Sequence, residues 1–176
     1  MITYAMPSSE QLYFWENLES IKTLIDCSTC SHCCDRDNFY LFPFEVDYYK
    51  RIGIDVIEIY GVNFLKKTSS TCPFLSNDKQ KCTIYEKRPI SCRLFPLEII
   101  LDERNVLAWA HYKADYCLKH SLLQASDLNV AIYFLIKKLA PLFKPHSNFL
   151  YKHNTVEDTI DLYKSEHNNY STIKKF

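Results

Sequence analysis

Glycine is nearly missing. The chain has 2 in 176 residues, where average usage of about 7% predicts roughly twelve. Loops that cradle phosphates, and dinucleotide folds, need several glycines close together so that the backbone can approach the ligand. Gly53 and Gly61 stand alone. A Walker P-loop, a Rossmann fingerprint and the glycine-rich loop of Rossmann-type methyltransferases are therefore excluded. An excess of either charge is also missing: 21 basic residues balance 21 acidic ones. Nucleic acid and anionic membranes both attract a basic surplus, so neither is expected as a partner. No apolar run approaches the ~18 residues of a membrane span. The segment MITYAMPSSEQLYFWENL has no basic stretch, apolar stretch or cleavage site of a secretory leader. A cytoplasmic protein is expected.

Cysteine is abundant instead. There are 8, and seven of them lie between Cys27 and Cys92. An even number admits four disulfides. Disulfide frameworks, however, belong to short secreted chains that cannot build a core. A chain of this length can hide about 70% of its unfolded surface. In a reducing compartment clustered thiols bind metal or do redox chemistry.

The pattern along the chain predicts an α+β fold, mostly α-helical, with a small β-hairpin and irregular cysteine-rich loops around a metal centre. Ser9 to Asp26 reads as an amphipathic helix capped by Ser8 or Ser9, with Leu12, Trp15, Leu18, Ile21 and Ile25 at near-helical spacing. Phe42 to Arg51 reads as a second helix with Pro43 in its first turn, and Ile54 to Lys67 as a third. Asn77 to Lys81 is a charged turn, and Ile84 to Arg88 one helical turn ended by Pro89. Leu97 to Leu101 and Val106 to Tyr112 read as a hairpin. Ser126 caps a helix to Leu139, which Pro141 breaks, and Thr155 to Tyr170 reads as a weaker helix. Residues 1–145 are expected to form a metal-binding domain, with 146–176 a helical extension packed on it.

The strongest signal is Cys27, Cys30, Cys33 and Cys34, a Cys-x-x-Cys-x-x-Cys-Cys string. A two-residue gap lets a tight turn aim two sulfurs at one point, as in zinc knuckles and iron–sulfur loops. Repeating the gap puts three sulfurs around one centre. Neighbouring side chains of an extended backbone point to opposite sides, so Cys33 and Cys34 are expected to face different ways. Cys72, Cys82, Cys92 and Cys117 form the second group. Four plus four matches two tetrathiolate zinc sites, and equally one cubane cluster with spare thiols. Either centre carries about −2 and needs nearby positive charge or amide donors. Arg88 and Arg93 flank Cys92 and offer it, unless they are taken by salt bridges such as Arg88 to Glu45 or Glu98. His32, Asp35 and Asp37 lie in or beside the string, and His111 and His120 flank Cys117; solvated or core roles suit them better than ligation. Phe39, Tyr40, Phe42, Phe44, Tyr48 and Tyr49 follow the string. They could wall a substrate pocket or shield a cluster, but core packing is the plainer role.

Taken together, CSTCSHCC, TCPFL and CTIYEKRPISCRLFP resemble the YkgJ-like cysteine-cluster family, which is associated with zinc or iron chelation. The resemblance covers Cys27 to Cys117. It implies that Cys27, Cys30, Cys33, Cys34, Cys72, Cys82 and Cys92 are the family's cysteines, with Cys117 at its late position. Leu118 follows Cys117 where relatives often have glycine. The same pattern is similar to part of the flagellin lysine N-methylases, which implies an iron–sulfur cluster and S-adenosylmethionine should methyl transfer hold.

Three functions fit the sequence. The first is a metal-binding protein whose thiolates hold an iron–sulfur cluster, with a four-iron, four-sulfur form favoured by the repeated gaps, or zinc. The second is an iron–sulfur-dependent enzyme, a methyltransferase or an oxidoreductase acting on a protein substrate. The third is a thiol-based protein for metal transfer or redox sensing. The partner in each is a metal ion or cluster, with or without a protein.

Overall fold

The computed structural model describes residues 6–22, 34, 39–67, 71–76, 78, 81–95, 97–101, 107–112, 137–146, 148–149 and 170–175. They form an α+β structure in two compact units, Met1–Arg93 and Leu94–Phe176.

The first unit opens with α1, Ser9–Lys22. Ser8 caps it, its hydroxyl accepting the Gln11 amide at 3.1 Å. The buried stripe is Gln11, Phe14, Trp15 and Leu18, an i, i+3, i+4, i+7 set. Leu12, expected on that stripe, is exposed; it lies one position off the i, i+3, i+4 series that Phe14 and Leu18 define. Phe14 stacks on Phe44 at 5.2 Å and on Phe42 at 6.0 Å. Trp15 meets Tyr48 edge-on at 5.7 Å.

β1 (Tyr40–Leu41) leads into a 3₁₀ turn, Pro43–Glu45, and then α2, Val46–Arg51. Pro43 starts the turn, where its missing N–H removes no bond. Gly53 ends α2 at φ 85°. Its amide bonds the Lys50 carbonyl and the Ile54 amide bonds that of Tyr49, both at 3.0 Å, a left-handed cap that suits glycine.

The helix expected over Ile54 to Lys67 is a β-hairpin. β2 (Val56–Ile59) pairs antiparallel with β3 (Val62–Leu65), Ile59 opposite Val62. Val56, Ile57, Ile59 and Val62 are β-branched and pack well on a pleated surface. Tyr60 and Gly61 stand at φ 50° and 84°, as a two-residue hairpin turn requires. β3 is central in the order β1-β3-β2, and its Val62, Phe64 and Leu65 are buried.

Tyr85–Lys87 is a single 3₁₀ turn before Pro89, and α3 spans Ile90–Leu94. The unit boundary falls inside α3. In the second unit β4 (Leu97–Leu101) and β5 (Leu107–Tyr112) form the expected hairpin, Leu97 opposite His111 and Leu101 opposite Leu107. β6 (Tyr170–Lys175) adds a third antiparallel strand beside β5. Sequence reading had carried a helix to Tyr170, where this strand begins; 155–169 lie outside the described residues. Residues 137–143 are helical, with Leu139 and Phe143 buried. Pro141 sits within this run instead of ending it. The start of this helix, at Ser126, is also outside the described residues. No described helix is long and apolar enough to cross a membrane.

Candidate metal centre

Four of the eight cysteines lie among the described residues: Cys34, Cys72, Cys82 and Cys92. None is in a disulfide. All four belong to the first unit.

Local backbone bonds gather the first three. The Cys72 amide donates to the Cys34 carbonyl at 2.8 Å, which ties the end of the cysteine string to the Cys-Pro-Phe-Leu segment. That segment turns back on itself. The Leu75 amide bonds the Cys72 carbonyl at 3.1 Å, Leu75 bridges Cys82, and the Thr83 amide and hydroxyl both donate to the Phe74 carbonyl. The charged turn between Cys72 and Cys82 is closed by the Ser76 amide on the Lys81 carbonyl at 2.9 Å.

The two thiols of this loop are held alike. The Phe74 amide donates to the Cys72 sulfur, and the Ile84 amide to the Cys82 sulfur. In each case the donor is two residues beyond the cysteine. An amide aimed at sulfur favours the thiolate.

The four thiols act on one another electrostatically. Burial pushes Cys72 from 9.0 up to about 11; the Phe74 amide pulls it down, while Cys34 and Cys82 push it up. Burial also raises Cys82, against the Ile84 amide and with Cys34. Cys92 is raised as well: burial dominates, Arg88 opposes it, and Cys34, Cys82 and Cys72 add to it. Thiols that hinder one another's ionisation are stabilised together by a cation, which replaces their protons.

Arg88 supplies positive charge here. It is buried, donates from Nη1 to the Tyr85 carbonyl at 2.9 Å and stacks over the Tyr85 ring at 3.8 Å. Its charge favours the thiolates of Cys92 and Cys82. Arg93 turns elsewhere. It pairs with Glu19 at 3.6 Å, bonds the Glu86 carbonyl and lies 5.3 Å from the Trp15 ring. The cation that acts on the Glu45 carboxyl is Arg93, where the salt-bridge alternative had Arg88 paired with Glu45 or Glu98; the Glu98 side chain lies outside the described residues.

Among the described residues no three His, Cys, Asp or Glu side chains are close enough together to hold an ion. Cys27, Cys30, Cys33 and Cys117 lie outside the described residues, as do His32, His120, Asp35 and Asp37. The aromatics after the string are core: Phe39, Tyr40, Phe42, Tyr48 and Tyr49 are buried, and Tyr49 packs on Phe74 at 5.9 Å.

Comparison with known families matches residues 26–118 to CxxCxxCC, described as "Putative zinc- or iron-chelating domain". The chain belongs to the CxxCxxCC family. No curated protein and no solved structure matches it. The matched span of this CxxCxxCC chain holds all eight cysteines. Its donor set suits either metal the family description names, since clustered thiolates bind zinc and iron–sulfur centres alike.

Sequence reasoning missed the hydrogen bonds that Glu45, Tyr49 and Ser91 make to distant backbone around Cys92. Glu45 carried a signal. A glutamate two residues after Pro43 stands where the third helical position of a capping box would be.

Proposed function

We propose that this chain holds a thiolate-ligated metal centre, with Cys34, Cys72, Cys82 and Cys92 as ligands, and with Cys27, Cys30 and Cys33 of the same string and the later Cys117 supplying further sulfur. The observation that carries the reading is the backbone tie of Cys72 to Cys34 at 2.8 Å and of Leu75 to Cys82, inside the span that matches the chelating-domain family; the mutual electrostatic effect of the thiols accompanies it.

An iron–sulfur centre is the form we favour. Seven thiols between Cys27 and Cys92 exceed the four of a single zinc site, and three at repeated gaps suit a multi-iron centre. Such a group would supply electron transfer or Lewis acidity. The chain's own residues hold and tune it: the Phe74 and Ile84 amides donate to sulfur, and Arg88 offsets the negative charge of the thiolates. Zinc is the second reading. The paired amide-to-sulfur turns at Cys72 and Cys82 suit it too, because they shape a closed tetrathiolate site equally well.

The absorption spectrum of anaerobically purified chain separates the two. A broad visible band that is lost in Cys72→Ser and Cys82→Ser is the expected result. A colourless chain with stoichiometric zinc supports the second reading, and a chain without either metal contradicts both.

A further inference from the structure

Cys92 reaches the other thiols by a different route. Cys34, Cys72 and Cys82 are joined by backbone bonds within their own loops. The segment carrying Cys92 is tied instead to a distant part of the chain by side chains. Glu45 accepts the Ile90 amide on Oε1 and the Phe42 amide on Oε2, each at 3.0 Å. The Ser91 hydroxyl donates to the Tyr40 carbonyl at 2.7 Å. The Tyr49 hydroxyl donates to the Lys87 carbonyl at 2.8 Å.

Glu45 is the unusual member of this set. It has no exposed surface, and a buried carboxyl is costly to keep. Both of its oxygens face backbone amides, so its place is beside the centre and not in it. A carboxyl here does one thing that a smaller polar group would not. It bridges two amides that are 48 positions apart in sequence, one at the Phe42 turn and one two residues before Cys92.

We propose that Glu45 is a positioning residue for the metal centre: its carboxyl fixes the Ile90–Cys92 turn against the Phe42–Glu45 turn, so that the Cys92 thiol stands in place before a metal arrives. The proposal rests on the reading that Cys92 is a ligand. Substitution of groups that orient a ligand typically weakens metal binding about 10–100-fold.

The test uses Co(II) alone as probe, titrated anaerobically into the reduced full chain, because thiolate-to-cobalt bands report bound sulfur whichever metal the site holds natively. Glu45→Gln keeps one acceptor and turns an amino group toward the other amide. It is expected to weaken Co(II) binding about 10–100-fold, to add nothing further to Cys92→Ser, and to add in full to Cys72→Ser. Should glutamine at this position prevent folding, Glu45→Asp carries the same comparison, since the shorter acid reaches only one of the two amides. Unchanged Co(II) affinity in either folded variant overturns the positioning role, as does a loss that is as large on Cys92→Ser as on Cys72→Ser. Failure of the wild-type chain and of Cys92→Ser alike to take up Co(II) removes the metal reading itself.

Discussion

In the proposed centre, Arg88 and Glu45 act from beside the thiols without ligating. Arg88 places a buried guanidinium where it favours the thiolates of Cys92 and Cys82. Arg88→Met is expected to weaken Zn(II) affinity about tenfold, in the range typical of groups that support metal ligands. Arg88→Lys keeps the charge and should recover part of that loss; equal losses in the two variants would mean that packing on Tyr85 matters and charge does not. Glu45 gives a pH signature. Burial raises its carboxyl from 4.5 to about 8, against the Phe42 and Ile90 amides and Arg93. The folded chain therefore keeps a proton that the unfolded chain has released. This contribution is fully present below about pH 4.5 and is lost as pH rises through about 8. Denaturant midpoints of wild type and Glu45→Gln, both saturated with Zn(II), should converge as pH rises from 5 to 9. A wild-type advantage that grows with pH would contradict the assignment.

At the scale of elements, both glycines are spent on backbone geometry. Gly53 stands at φ 85° with nothing within 4 Å of where a Cβ would lie. Gly53→Ala should therefore cost about 1–2 kcal/mol from the left-handed backbone alone, read by thermal or denaturant unfolding. Tyr60 is the converse case, a non-glycine at φ 50° with most of its surface exposed. Tyr60→Asn should stabilise the hairpin by a few tenths to about 1 kcal/mol, because asparagine tolerates that conformation better. A loss of stability would show that the exposed ring makes a contact worth more than the strain. The same hairpin shows why local patterns mislead. Ile54 to Lys67 has apolar residues at spacings that suit a helix or a strand. The arbiter was the Tyr60–Gly61 turn, which a helical reading passes over. The 97–112 hairpin was legible because two β-rich runs flank a four-residue polar break. Pro141 was read as a stop because proline usually is one; the helix over 137–143 runs through it.

For the molecule as a whole, the cysteine spacing made the chemistry legible and left its geometry hidden. The family match fits what the spacing implied. The braces at Glu45, Tyr49 and Ser91 escaped, because hydrogen bonds spanning 38 to 51 positions leave no periodic trace. Metal and fold should also be linked. A structural tetrathiolate site contributes about 10–16 kcal/mol of apparent binding free energy, as much as the whole stability of a typical domain, about 5–15 kcal/mol. Chelation under reducing conditions should lower the unfolding temperature steeply and restore reactivity of the cysteines toward a thiol reagent. The most direct measurement is iron, acid-labile sulfide and zinc content of the chain purified without oxygen. The account predicts at least one metal atom per chain, lost on combined serine substitution of Cys34, Cys72, Cys82 and Cys92. Fewer than about 0.3 metal atoms per chain, from a site that should bind this tightly, would contradict it.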